Sequence, residues 1–225
     1  MMARRNRFIY LILALLILFI LGLEFFLPAL MANMLKDYLR KEADDIAYMN
    51  IKIRSFPAIK MLRGKIDRAY IEIEGLSIDN LYLDKLDLQY RDILLKEDGF
   101  TGLNTGLEAV ITAEAINDYI QAKFPELEAF QFQIEPEQVA LEGRISIFEM
   151  LLDVQLSGNL AVSDQREVYF IPDNFRVENI NIPVNLLKAY IEGLDFSFDL
   201  EELNIPLALN EIKLYSGYAI LHGGE

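Results

Sequence analysis

Residues Ser55–Leu76 read SFPAIKMLRGKIDRAYIEIEGL, and the second half of the stretch decides the fold. From Ala69 to Gly75 apolar and polar residues alternate, with Ala69, Ile71 and Ile73 in one phase, which is the period of a strand with one buried face. The first half reads differently. Over FPAIKMLR the apolar spacing is helical and Gly64 supplies a stop, so one or two helical turns lead into the strand. Four bases, Lys60, Arg63, Lys65 and Arg68, crowd this short apolar turn in a chain whose net charge is −14.

Strand patterns continue on both sides. Upstream, MNIKIRS sets Ile51 and Ile53 against Lys52 and Arg54. Downstream, NLYLDKLDLQY holds Leu81 and Leu83 in one phase and Leu86, Leu88 and Tyr90 in the other, a slip that marks a bulge or bend near Asp84 and Lys85. Gly99–Gly106, GFTGLNTG, reads as a loop. Thr112 is placed to cap a helix that runs to about Phe124, with Glu114 in its first turn and Pro125 blocking its extension. FQFQI, QVALEGRISI, LLDVQLSGNLAV, VYFIPDNFRV and ENINIP then alternate in turn and predict a long antiparallel meander. VNLLKAYIEG predicts a last helix, followed by closing strands in DFSFDL, IPLALNEIKLY and GYAIL.

The N-terminus adds a membrane segment. MMARRNR carries three arginines and no acid, and Phe8–Leu23 follows as sixteen uncharged, mostly Leu and Ile residues. Sixteen residues make about 24 Å of helix, and FFLPALMA extends the apolar run to Ala32, so the whole can cross a ~30 Å hydrocarbon layer with Glu24 near the outer headgroups. Leu30 and Ala32 form a poor small-x-small cleavage site, which favours an uncleaved anchor over a signal peptide whose removal would leave a secreted protein. Ala29–Asp45 then reads as a helix leaving the membrane, started by Pro28. By the positive-inside rule the arginines keep the N-terminus cytoplasmic and put the rest outside. Residues 1–32 are the expected basic tip and transmembrane anchor, and residues 33–225 the extracytoplasmic domain.

Charge supports an orientation on that membrane. Asn33–Arg68 holds nine Lys/Arg against five Asp/Glu, whereas Ala69–Glu225 holds nine against twenty-nine. An anionic bilayer attracts the first part and repels the second. The acidic balance excludes nucleic acid as a partner, because a phosphate-binding surface needs a Lys/Arg excess. Without a cysteine the chain has no disulfide and no thiolate nucleophile. His222, in the tail HGGE, is the only histidine, and no serine elbow, phosphate loop or HExxH pair occurs. No enzyme activity, cofactor or metal site is expected.

The order of these parts resembles a known family. An N-terminal membrane segment, a helix, SFPAIKMLRGKIDRAYIEIEGL, LYLDKLDLQY, the capped ITAEAINDYI helix and a strand series with VALEG, LSGNLAV and VYFIPDNFRVENINIP look like the LmeA-like family of bacterial cell-envelope phospholipid-binding proteins. The resemblance covers nearly all of residues 33–225 and rests on the framework Phe56, Pro57, Leu62, Gly64 and Ile66, the Thr112 helix start and the Gly158–Pro172 strands. It implies an α+β fold of the tubular lipid-binding kind, in which a curved, mainly antiparallel sheet with about three helices follows the transmembrane helix and encloses an apolar groove. No family motif position identifies lipid contacts.

Two sets of residues are candidates for a lipid site. Phe130, Phe132, Phe170, Phe196 and Phe198 are groove candidates, although an inward aromatic reads the same in a closed core. Lys60, Arg63, Lys65 and Arg68 are candidates for contact with the headgroups of the chain's own bilayer. Phe56, Ile59 and Leu62 recur every three residues and form one apolar side between these bases. That side either rests on the membrane interface or plugs one end of the core with the bases solvated. The function expected is a membrane-anchored phospholipid-binding protein that binds, carries or presents envelope lipids; the alternative is an anchored structural or protein-interaction domain without bound lipid.

Overall fold

The computed structural model describes residues 2–96, 99–123, 125, 128–147, 150–163, 167–178, 180–183, 197–199 and 209–224. It opens with α1 (Met2–Glu42), one helix of 41 residues with Pro28 inside it. No new helix starts at Pro28. Proline forfeits a single i→i−4 bond, and the strongly helical flanks carry the helix through. From Leu11 to Leu21 the side chains are exposed all round, whereas Leu27, Met31, Leu35 and Leu39 are buried. Their spacing of four residues makes one stripe down the helix, and that stripe lies in the core.

The remaining elements are β1 (Asp45–Arg54), a 3₁₀ turn (Ala58–Arg63), β2 (Lys65–Ile78), β3 (Leu81–Lys96), β4 (Gly99–Thr112), α2 (Ala113–Lys123), β5 (Phe130–Glu135), β6 (Gln138–Ile147), β7 (Met150–Ser163), β8 (Glu167–Val177), β9 (Ile180–Pro183), β10 (Ser197–Asp199), β11 (Leu209–Tyr215) and β12 (Tyr218–Gly223). They form two antiparallel sheets, ordered β1-β2-β3-β4-β12-β11 and β10-β8-β7-β6-β5, with β9 beside β8. The fold class is α+β, as expected. The meander expected of FQFQI to ENINIP is present as β5-β6-β7-β8, with β9 returning on β8. The closing hairpin β11–β12 returns to pair with β4, which covers an edge that would otherwise be open. Periodicity shows which face of a strand is buried and says nothing of its partner. The helix expected in VNLLKAYIEG lies outside the described residues.

Three details of the first sheet follow from its sequence. The phase slip is present, since Leu81, Leu83, Leu86, Leu88 and Tyr90 are all buried. β2 slips with β3 in register, because Gly75 takes a φ of 62° where a Cβ would meet Ala47 at 2.8 Å. GFTGLNTG is strand rather than loop: β4 pairs with β3, and two register shifts absorb the irregularity. Its Gly102 and Gly106 lie where a Cβ would press on Ile93 and Gln89, so side chains of β3 fill the space the glycines leave. Thr112 caps α2 as expected, its Oγ1 accepting from the Ala115 N–H at 3.2 Å.

The two sheets meet around α2 and β11. β11, at the edge of the first sheet, packs against β5 and β7 of the second. Asn117 of α2 binds the edge strand β5 as a neighbouring strand would: its Oδ1 accepts from the Phe132 N–H at 2.7 Å and its Nδ2 donates to the Phe132 carbonyl at 2.8 Å. Both backbone groups are thereby satisfied at an edge that has no ladder on that side among the described residues. The Gly217 N–H donates to the Ile134 carbonyl, and the Gly217 carbonyl accepts from Ala113, so the β11–β12 turn joins the same junction.

Candidate lipid-binding site and membrane face

The turn between β1 and β2 sits against α1 at the level of Glu24, whose Oε1 accepts from the Ala58 N–H at 3.0 Å. A 3₁₀ helix has three residues per turn, so positions three apart share a side. Ala58 and Met61 occupy the inner side and are 0% exposed, whereas Phe56, Ile59 and Leu62 are 80, 54 and 62% exposed. The core is therefore plugged by Ala58 and Met61, and the apolar side formed by Phe56, Ile59 and Leu62 faces outward. Phe25 and Phe26 of α1 are exposed at nearly the same height. Gly64 closes the turn with a φ of 72°, its N–H bonding back to Met61 and its carbonyl accepting from Leu95.

The four bases of the turn fall into two groups. Lys60 is half-buried and serves the turn itself: its Nζ pairs with the Asp67 carboxylate and donates to the Phe56 carbonyl at 2.9 Å. The Lys60 hydrogen bond and the Phe56 N–H hold the Asp67 carboxyl below the usual carboxylate range. Arg63, Lys65 and Arg68 are exposed, and none of them makes an ion pair among the described residues.

The second sheet has one polar and one apolar face. On the polar face Gln133 and Gln155 both donate to Glu142, and Arg144 pairs with Asp153. The other face carries Phe130, Phe132 and Ile134 from β5, and the register continues it through Leu141, Leu156 and Phe175, which stand in line with Phe132 across four strands. Phe170 lies on the same face, opposite Leu160. Phe132 and Phe170 pack against the common core, while Phe198 pairs through its backbone with Val168 at the sheet edge. Phe196 lies outside the described residues. Inward positions of the first sheet such as Ile71, Ile73, Leu86 and Leu88 are fully buried, whereas Phe132, Leu141, Leu156 and Phe175 are only half-buried. A sheet face that is apolar and incompletely covered can take up further apolar groups, at about 0.8 kcal/mol per CH₂.

The family is shown by comparison with known sequences. A match to the family described as LmeA-like phospholipid-binding spans residues 22–223. The chain belongs to that family. The match begins at Gly22, inside α1, so it takes in the buried stripe of the helix together with both sheets. No curated protein and no solved structure matches the chain. Lipid binding is thus the activity of the family, and the half-covered apolar face lies within the matched region.

Two features of this region escaped the sequence. His222 of HGGE lies in β12, between Glu108 of β4 and Glu211 of β11. Among the described residues no group of three or more His, Cys, Asp or Glu could hold a metal ion. Asn117 carries no motif, and only the approach of α2 to β5 gives it a role.

Proposed function

We propose that this chain is a single-pass membrane protein with a cytoplasmic N-terminus, whose two-sheet domain lies outside the membrane and binds phospholipids of the cell envelope by their acyl chains. The half-covered apolar row Phe132–Leu141–Leu156–Phe175 carries the reading, with Phe130 and Phe170 beside it. Family membership supports the ligand class, and α1 is long and apolar enough to cross a membrane. Residues 1–32 hold the cytoplasmic tip and anchor in this reading and residues 33–225 most of the domain, joined by an unbroken helix whose Leu27 and Met31 pack into the domain core. Retention of the anchor is favoured over cleavage near Ala32, because Leu27 and Met31 belong to the core and Glu24 binds the β1–β2 turn.

Lipid analysis of a variant pair tests the proposal. Leu141→Glu combined with Leu156→Glu places two carboxylates on the apolar face and leaves α1 untouched, so lipid held around the anchor is common to both proteins. Purified in the same detergent, the unaltered chain should retain more phospholipid per molecule than the variant, the difference approaching one bound lipid (on the order of one per site). Equal lipid content in two folded proteins favours the anchored structural or protein-interaction reading instead.

A further inference from the structure

The register of the first sheet brings together three arginines that are far apart in the chain. Arg54 of β1 stands directly opposite Arg68 of β2, and Arg68 directly opposite Arg91 of β3. All three are exposed, and none makes an ion pair among the described residues. Side chains paired this way start about 5 Å apart, where like charges destabilise a sheet. Exposed Lys52 lies one row further up, opposite Tyr70. A fold that sets three guanidinium groups side by side in an otherwise acidic chain has a row that an anionic partner would stabilise.

Position identifies the partner. Arg54 precedes Phe56 by two residues, about 7 Å along an extended chain. Phe56, Ile59 and Leu62 form the exposed apolar turn beside Glu24, where α1 passes from its exposed apolar length to its buried stripe. With that turn at the edge of the hydrocarbon, the arginine row lies about 7 Å outward, at the depth of headgroup layers that are roughly 5–8 Å thick. Four residues beyond Arg68, about 13 Å further out, carboxylates outnumber bases on the same face: Glu72 stands opposite Asp87, Asp87 opposite Glu108, and Lys85 pairs with both Asp87 and Glu108. A negative surface attracts the near row and repels the far one.

We propose that Arg54, Arg68 and Arg91 form a headgroup-binding row that docks the outer face of the first sheet on the anionic phospholipids of the chain's own bilayer, with Lys65 and Arg63 at its margin. Guanidinium groups suit this task because each presents a planar fork of donors to phosphate oxygens. The row is distinct from the apolar face of the second sheet, which would hold acyl chains. It rests only on that part of the proposed function which embeds α1 in the bilayer.

The test is residue-resolved arginine modification of the full chain in nanodiscs of phosphatidylcholine, with and without phosphatidylglycerol. Arg54, Arg68 and Arg91 should react with a neutral dicarbonyl reagent about fivefold more slowly in the anionic discs. Molar salt should close the difference. Arg144 and Arg176 of the second sheet should react alike in both discs. Equal rates at the row with α1 still carbonate-resistant overturn this inference alone, whereas release by carbonate overturns the anchoring on which it rests. Protection by inorganic phosphate in phosphatidylcholine discs would also overturn it, by making the row a site for a soluble anion. Arg54→Gln, Arg68→Gln and Arg91→Gln together should abolish the enrichment of phosphatidylglycerol around the protein and leave thermal stability equal or higher, since a like-charge row is removed. A loss of stability would make the arginines structural and contradict the proposal.

Discussion

A chain beginning at Asn33 will unfold at least ~4 kcal/mol more easily than the full chain, because it lacks Leu27 and Met31, each worth about 2–5 kcal/mol when truncated in a core. It also lacks Glu24, the acceptor for the Ala58 N–H. Domains hold only about 5–15 kcal/mol in total, so most of the stability goes with these residues. Leu27→Ala with Met31→Ala in the full chain should reproduce much of the loss. Phe25→Ala with Phe26→Ala, at exposed positions, should leave stability nearly unchanged. Denaturant unfolding in one detergent, followed by tyrosine fluorescence, measures all four proteins. If the Asn33 chain proves as stable as the full one, the buried stripe of α1 is not part of the core and proteolytic release of the domain becomes tenable.

Gly158→Ala is expected to cost about 3 kcal/mol or more, the upper range for overfilling a packed site. A Cβ at Gly158 would overlap the Ile171 carbonyl oxygen and lie 2.8 Å from Pro172 Cα. Both obstacles are backbone, so β8 itself must move. The irregularity between Ser157 and Gly158 already bends β7 there, between the Leu156–Phe175 pair and the Leu160–Phe170 pair that shape the apolar face. Loss of bound phospholipid should therefore accompany the loss of stability. Gly22→Ala is the control: nothing lies within 4 Å of a Cβ there, and alanine favours a helix.

Much of this architecture was legible because strand alternation is a local signal. Ile51 and Ile53, Ala69 to Ile73, and the divided phases of Leu83 and Leu86 each report a buried face within a few residues. The β1–β2 turn was legible too, with its glycine stop at Gly64. What escaped detection depends on partners. GFTGLNTG has the composition of a loop and becomes strand only because β3 fills the space over its glycines. Its Asn104 is buried beside Tyr90, whose hydroxyl it binds and whose pKa burial pushes up. Arg68 stood out as one of the four bases around the turn, whereas Arg54 and Arg91 are unremarkable in the chain, and only the pairing of three strands makes the three a row. Of the groove aromatics, Phe130, Phe132 and Phe170 share a face because alternation carries through antiparallel register. The sequence did not distinguish a closed core from a half-covered face, since the same residues line both.

In the function proposed above, phospholipid acyl chains occupy the apolar face of the second sheet. Photo-crosslinking tests it most directly: the full chain is reconstituted with a phosphatidylethanolamine that carries a diazirine near the end of one acyl chain, then illuminated, digested and mapped by mass spectrometry. Lipid around the anchor will label α1 in any case. Additional labelling is expected in peptides containing Phe132, Leu141, Leu156 and Phe175, reduced by Leu141→Glu with Leu156→Glu while labelling of α1 is unchanged. Labelling confined to α1 and the Phe56–Leu62 turn would contradict it.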